Sequence, residues 1–190
     1  VNGYAHTWLA WTCVDLGRMK EGLEHGKEAR RLFAGAAWEH YPYFQSFDSD
    51  GYAYWALGAC ARVRESGEML LALGRTSSSI RGITWGNTVA AWGFMGEGDF
   101  SSAIERTKAA LAASKDPLYT QFPRLSLGMC YVLCGEHQKA KVLLEEVLEF
   151  ARTIGCRYLD TPARCFLAVV LTAEGRFGEG MRMLTGARQW

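Results

Sequence analysis

The chain has 190 residues, of which 49% are hydrophobic and 13% aromatic, and its 21 basic and 20 acidic residues leave a formal charge of +1. This composition excludes an intrinsically disordered chain, and the balanced charge argues against a nucleic-acid-binding protein. No apolar run approaches the ~18 residues of a membrane-spanning helix, so we expect neither nucleic acid nor membrane as a partner. Nothing near Val1 resembles a secretory signal. Both ends look cut, which predicts a cytoplasmic fragment of a longer protein.

Four glycines occur in the same local setting along the chain: Gly17, Gly98, Gly135 and Gly175. Each lies between two apolar segments with helical periodicity. Each also has a small residue seven positions before it and another five positions after it. These pairs are Ala10 with Gly22, Ala91 with Ala103, Gly128 with Ala140, and Ala168 with Gly180. The intervals between the glycines are 81, 37 and 40 residues, so one further unit is expected between Gly17 and Gly98.

The pattern predicts a series of helix–turn–helix repeats. A glycine allows the left-handed backbone that ends the first helix, and the paired small residues let two helix backbones approach closely where they cross. Neither helix can bury its apolar face alone, so neighbouring pairs must stack. We therefore predict an all-α fold of about five helix–turn–helix repeats in a single domain. The predicted repeats cover residues of about 3–40, 50–81, 83–115, 121–155 and 161–190.

The second repeat has no clear frame. Gly58 would fit the spacing, but it would place Asp48-Ser49-Asp50-Gly51 inside a helix, and such a cluster is typical of a helix start. We therefore expect a helix over about residues 50–65, a turn at Glu65-Ser66-Gly67 and a second helix over about 68–80. Residues 41–49 then form a long, aromatic-rich connection.

Two segments carry a resemblance to a known family. Leu127-Gly128, Tyr131, Gly135 and Ala140 fall at the spacing of the tetratricopeptide repeat (TPR), and Leu9-Ala10, Gly17 and Ala29 follow it too. The chain resembles TPR proteins over nearly its full length, although its period is about 40 residues rather than the family's 34 and no proline closes each unit. Units that end like residues 151–157 look like the arrays of bacterial signalling ATPases, maltose-regulator-type activators and nucleotide cyclases. The resemblance implies a right-handed superhelical stack and a non-catalytic interaction module.

In such arrays the first helix of each pair lines the concave surface. Counting back from the turn glycines gives an inner stripe that consists of Tyr4, Thr7, Trp11, Val14, Trp85, Thr88, Trp92, Met95, Phe122, Leu125, Met129 and Val132, with Cys165, Val169 and Thr172 in the fifth unit. The stripe is apolar and aromatic, and it lacks the Lys, Arg and Asn of family members that clamp a peptide carboxylate. We expect these side chains to be exposed and to bind a protein or peptide segment, or another domain of the parent protein. Alternatives are a small-molecule ligand in the same concavity and self-association as a homodimer.

Other motifs do not indicate chemistry. If Gly51 is aligned with the glycine of a calcium loop, two ligand positions of the loop hold residues that do not suit calcium. Cys130, Cys134 and His137 resemble three zinc ligands, but Gly135 separates His137 from the helix and no fourth ligand is evident. The remaining histidines are scattered without a partner motif, and the six cysteines are expected to be reduced thiols. We therefore predict no catalytic residues, no metal and no cofactor.

Overall fold

The computed structural model describes residues 2–34 and 40–188. These ranges form ten α-helices and contain no strand. The helices are α1 (Asn2–Asp15), α2 (Met19–Phe33), α3 (His40–Ala56), α4 (Cys60–Thr76), α5 (Ile80–Gly96), α6 (Phe100–Ala113), α7 (Gln121–Leu133), α8 (His137–Ile154), α9 (Arg157–Ala173) and α10 (Phe177–Arg188). The all-α prediction is confirmed. The predicted limits of the first and fifth repeats involve residues 35–39 and 189–190, which lie outside the described residues.

Five glycines with positive φ end the first helix of each pair: Gly17, Gly58, Gly98, Gly135 and Gly175. The hydrogen bonds are those of the Schellman motif at each turn. At the first turn, for example, the amide of Gly17 donates to the carbonyl of Val14 and the amide of Arg18 donates to the carbonyl of Cys13. Gly58 makes the same pair of bonds, so it is the turn glycine of the unit expected between Gly17 and Gly98.

The helices predicted for the second repeat, about 50–65 and 68–80, are therefore wrong, because the structure has α3 and α4 there instead. Residues 41–49 are not a connection but part of α3, and Glu65-Ser66-Gly67 lies inside α4 rather than in a turn. The fifth position after Gly58 is Val63, which is larger than its counterparts, and it is fully buried. This departure from the small-residue pattern explains why the repeat is hard to detect in the sequence.

Tertiary contacts stabilise α3 although its sequence favours a turn. Asp48, Ser49 and Asp50 are all buried in the helix instead of capping it. Within the helix, the Ser49 hydroxyl donates to the carbonyl of Ser46 (3.1 Å). The tertiary contact is the ion pair between the Asp50 carboxylate and Arg30 from α2 (2.6 Å). Such contacts outweigh the low helix propensity of Asp and Ser.

The paired small residues meet where the two helices of a repeat cross. A Cβ atom added to Gly22 would lie 3.1 Å from the carbonyl oxygen of Ala10, and one added to Gly180 would lie 3.2 Å from that of Ala168. A Cβ atom added to Gly128 would lie 2.8 Å from Leu144 Cδ2 and 3.7 Å from the Ala140 oxygen, and the latter distance is ordinary van der Waals contact. The predicted close approach is thus confirmed for the pairs Ala10–Gly22 and Ala168–Gly180.

The chain divides into two compact units, Val1–Arg106 and Thr107–Trp190. In the first unit, the first helices α1, α3 and α5 of successive repeats lie against each other, and in the second unit α7 lies against α9. The core of each unit consists of the apolar side chains between these helices and their partners. This arrangement puts the predicted stripe between neighbouring helices.

Candidate functional site

The structure places the twelve stripe residues on α1, α5 and α7, each of which is the first helix of a repeat. They occupy the positions 13, 10, 6 and 3 residues before a turn glycine. With Gly58 as the second turn glycine, the same four positions in α3 are Gln45, Asp48, Tyr52 and Trp55. The sequence-based frame of the second repeat does not include these four positions, because it does not use Gly58 as the turn glycine.

The expectation that the stripe is exposed is wrong for most of its members. Tyr4 is 41% exposed, and Trp11 and Phe122 are half-buried. The buried members are Thr7, Val14, Trp85, Thr88, Trp92, Met95, Leu125, Met129 and Val132. Since the first helices of successive repeats lie against each other in each unit, the stripe side chains fill much of the space between them.

Three aromatic rings form a continuous row across the first unit. Trp11, Tyr52 and Trp92 each lie six residues before a turn glycine, in α1, α3 and α5. The ring centroids of Trp11 and Tyr52 are 5.1 Å apart, and those of Tyr52 and Trp92 are 4.8 Å apart. Trp85, two turns earlier on α5, meets Trp92 edge to face at 6.5 Å. We call Trp11, Tyr52 and Trp92 the aromatic row; its first two members are half-buried and the third is buried.

Polar side chains occupy the position ten residues before the turn glycine in the same three helices. The Thr7 hydroxyl lies 3.1 Å from the carbonyl oxygens of both Gly3 and Pro42, and thereby connects α1 to α3. The Thr88 hydroxyl donates to the carbonyl of Thr84 at 2.8 Å. These bonds satisfy hydroxyl groups that are fully buried.

Asp48 is the third residue at this position. It is 2% exposed, and its Oδ1 has no hydrogen-bond partner among the described residues. Burial raises the pKa of the Asp48 carboxyl to about 8, because desolvation disfavours the charged form. The group is therefore mainly neutral at pH 7. It lies one helical turn before Tyr52, on the same face of α3.

A second buried acid, Asp50, connects α3 to α2 through an ion pair. Arg30 Nη2 lies 2.6 Å from Asp50 Oδ2, and Arg30 Nη1 donates to the Ser46 carbonyl at 2.7 Å. The guanidinium also lies over the ring of Phe47, 4.7 Å from its centroid. Burial raises the pKa of Asp50 to about 6, although the charge of Arg30 opposes the shift. This ion pair is a structural link between the first two repeats.

Two histidines that look scattered in the sequence are neighbours. The Nδ1 atoms of His6 on α1 and His25 on α2 are 2.9 Å apart. The prediction that these two histidines have no partner is therefore wrong. Within the described residues no three His, Cys, Asp or Glu side chains are grouped as metal ligands. Burial raises the pKa of the Cys130 thiol to about 12, so that this cysteine acts as a buried apolar side chain.

The stripe residues of the fifth repeat line an open cleft in the second unit. Cys165, Val169 and Thr172 surround about 370 Å³ between α9 and α10. Val169 is 50% exposed and Leu184 from α10 is 39% exposed. The lining of this cleft is mainly apolar.

No protein-family model matches the chain, and no curated protein is similar to it in sequence. Solved structures do share its fold. TTC0263, a thermophilic TPR protein of Thermus thermophilus, matches with a TM-score of 0.74 and 20% identity, over 97% of this chain and 89% of that chain. A proposed kinesin light chain of Podospora anserina with nearly identical TPR-like repeats matches in two crystal structures. Their TM-scores are 0.60 and 0.58, with 21% identity over 97% of this chain and 92% of each of those chains.

These likenesses show that the chain has a TPR-like, all-α repeat fold, as its sequence resemblance implies. At this level of identity they define the fold alone. None of the described helices is both long and apolar enough to cross a membrane.

Proposed function

We propose that this chain is a non-catalytic protein–protein interaction module of a larger cytoplasmic signalling or transcription-regulating protein. The proposed partner is a protein or peptide segment that lies across the first helices of the first unit. The observation that supports this proposal is the aromatic row, in which equivalent positions of three consecutive repeats carry rings in contact.

Two rings of the row are partly accessible, and their contacts hold them in a fixed arrangement. Trp11 and Tyr52 are half-buried, and Tyr4 on the same stripe is exposed. Tyr4 packs edge to face on Phe33 at 5.7 Å, which restricts its ring. Partly buried Trp and Tyr side chains are enriched among residues that dominate binding energy. Rings that are already ordered by their neighbours lose little entropy when a partner binds.

The chemistry of the stripe favours an apolar partner segment. Its one acid in the first unit, Asp48, is mainly neutral at pH 7 because burial raises its pKa to about 8. The partner residues that contact the row are therefore expected to be aromatic or aliphatic rather than basic.

A selection from a random peptide library tests this function, since it requires no identified partner. The dissociation constant of the selected peptide is measured for the wild-type protein and for Trp11→Ala, Tyr52→Ala and Trp8→Ala. Trp8 is the matched control, since it lies on α1 and is 49% exposed but is not part of the row. Thermal unfolding of each variant shows whether it remains folded.

The proposal predicts that Trp11→Ala and Tyr52→Ala weaken binding by about 30-fold or more, as expected for a loss of ~2 kcal/mol. Trp8→Ala should bind as the wild type does. Equal affinity of a folded Trp11→Ala variant, or failure to select any peptide that binds below about 100 µM, would overturn the proposal.

A further inference from the structure

A second recess lies in the second unit, away from the first-helix stripe. It is an open cleft of about 540 Å³ between the end of α6, the connection at residues 114–120, the first turns of α7 and the last part of α8. Ligand sites for small molecules commonly have volumes of about 300–1,000 Å³. The side chains that line the cleft combine positive charge, one buried amide and an apolar wall.

Two cations give the cleft its charge. Lys115 is exposed and has no ion pair among the described residues. Arg124 is half-buried, and its guanidinium is 3.9 Å from Glu146, a distance that leaves it available to another anion. The lining as the structure describes it includes no acidic side chain. The start of α7 adds the partial positive charge of a helix N-terminus, and Thr120 makes no side-chain cap there.

Besides Glu146, a second acid lies close by, on the connection itself. Asp116 Oδ1 accepts the backbone N–H groups of Leu118 (2.9 Å) and Tyr119 (3.1 Å). These bonds hold the carboxylate against the turn, and it does not line the cleft. The side chains that do line it therefore carry a net positive charge.

The observation that indicates a ligand in this cleft is the unpaired side-chain amide oxygen of Gln121. The residue is 4% exposed, and its Nε2 donates to the carbonyl of Pro117 at 3.1 Å. This bond fixes the amide so that Oε1 is the free end, and Oε1 is buried without a hydrogen-bond partner. A buried acceptor without a donor is costly. Since Gln121 lines the cleft, a ligand with an N–H or O–H group would remove this cost.

Leu111, Pro117 and Phe150 form the apolar wall of the cleft. The geometry points to a binding site for a small organic anion that carries a hydrogen-bond donor and an apolar side group. Its carboxylate or phosphate would pair with Lys115 and Arg124, its donor would bind Gln121 Oε1, and its apolar group would pack on Phe150. This site is independent of the proposed partner surface, because none of its residues belongs to the stripe.

An NMR titration of the ¹⁵N-labelled full chain tests the site with four probes. N-acetyl-L-leucine has the carboxylate, the N–H donor and the apolar group. N-acetyl-L-leucinamide lacks the charge, 4-methylpentanoate lacks the donor, and phenyl phosphate replaces the carboxylate with a phosphate. We expect saturable shifts in the amides of residues 114–124 with N-acetyl-L-leucine or with phenyl phosphate, and the tighter of the two identifies the anion. The neutral amide should bind at least fivefold more weakly than N-acetyl-L-leucine, and 4-methylpentanoate at least threefold more weakly.

Variants then assign the charges. Lys115→Ala and Arg124→Ala should each weaken the preferred anion by fivefold or more, whereas Lys139→Ala, an exposed cation on α8 outside the cleft, should leave it unchanged. The comparison of the four probes uses the wild-type protein, so it does not depend on whether any variant folds. No saturable shift with either anion up to 20 mM would overturn the inference. So would equal binding of the neutral amide, or a loss with Lys139→Ala as large as that with Lys115→Ala.

Discussion

The ring of Tyr52 meets the indole of Trp92 nearly at right angles, with centroids 4.8 Å apart and planes at 71°. Tyr52 comes from the second repeat and Trp92 from the third, so this contact joins the first helices of two neighbouring repeats. Trp92 is only 7% exposed. Its ring is therefore part of the packing between repeats.

Trp92→Ala should therefore reduce stability strongly. Removal of a buried tryptophan side chain costs about 3–5 kcal/mol, and the contacts with Tyr52 and Trp85 are lost as well. Trp8→Ala removes the same side chain from a half-exposed site and should cost less than about 1 kcal/mol. Urea unfolding of both variants measures the difference. Equal losses would contradict the burial of Trp92 between the repeats.

Gly58→Ala tests whether Gly58 is the turn glycine of the second repeat, because the sign of the change in the free energy of unfolding depends on this. Gly58 has a φ of +69° and a Cβ atom there would have no neighbour within 4 Å, so the cost is that of the left-handed backbone alone, about 1 kcal/mol. Gly178→Ala is the matched control, because this glycine lies in α10 with an ordinary φ and open space around it. It should stabilise by up to about 1 kcal/mol. A stabilising Gly58→Ala would place Gly58 in a helix interior.

The turn glycines and paired small residues allowed four of the five turns to be predicted from the sequence. The limits of the second repeat could not be predicted for two reasons. Val63 replaces a small residue, and Asp48 and Asp50 are typical of a helix N-cap. Their burial depends on contacts with Arg30 and with neighbouring helices, which a local pattern does not contain. The twelve stripe residues do lie on the first helices α1, α5 and α7. The burial of most of their side chains depends on neighbouring helices, so a local pattern does not predict it.

Gly67 shows another limit of local patterns, because it was assigned to a turn and lies inside α4. A Cβ atom at Gly67 would clash with the backbone nitrogen of Ala90 on α5 and would lie 2.7 Å from its Cα atom. Since backbone cannot move aside as a flexible side chain does, Gly67→Ala should cost about 3 kcal/mol or prevent folding. Gly178→Ala again serves as the control. Chemical denaturation that shows a wild-type midpoint for Gly67→Ala would contradict this close crossing of α4 and α5.

The buried acid Asp48 predicts an unusual dependence of stability on pH. Its pKa is raised from 3.8 to about 8 in the folded state, so between these values the folded protein holds a proton that the unfolded chain releases. The free energy of unfolding therefore falls as pH rises in this range, by at most about 1.4 kcal/mol per pH unit, and the penalty is complete above about pH 8. Asp50, with a pKa of about 6, acts in the same direction below pH 6.

The melting temperature should thus be lower at pH 8 than at pH 6, and Asp48→Asn should reduce this difference because an amide does not titrate. Exposed carboxyls such as Glu21 and Glu179 have a lowered pKa and remain ionised in this window, so they do not mask the effect. A pH dependence that is the same in wild type and Asp48→Asn would show that Asp48 is ionised in the folded protein.

The most direct test of the proposed function is an NMR experiment on the indole N–H groups. Each of the seven tryptophans contributes one ¹⁵N-indole signal, and Trp→Phe substitutions assign these signals. The peptide selected from the library is then titrated into the protein. If a partner segment lies on the aromatic row, the Trp11 signal should shift most and the Trp8 signal should stay in place at saturation. A saturable shift of Trp8 as large as that of Trp11, or an unchanged Trp11 signal while the peptide is bound, would contradict a partner site on this row.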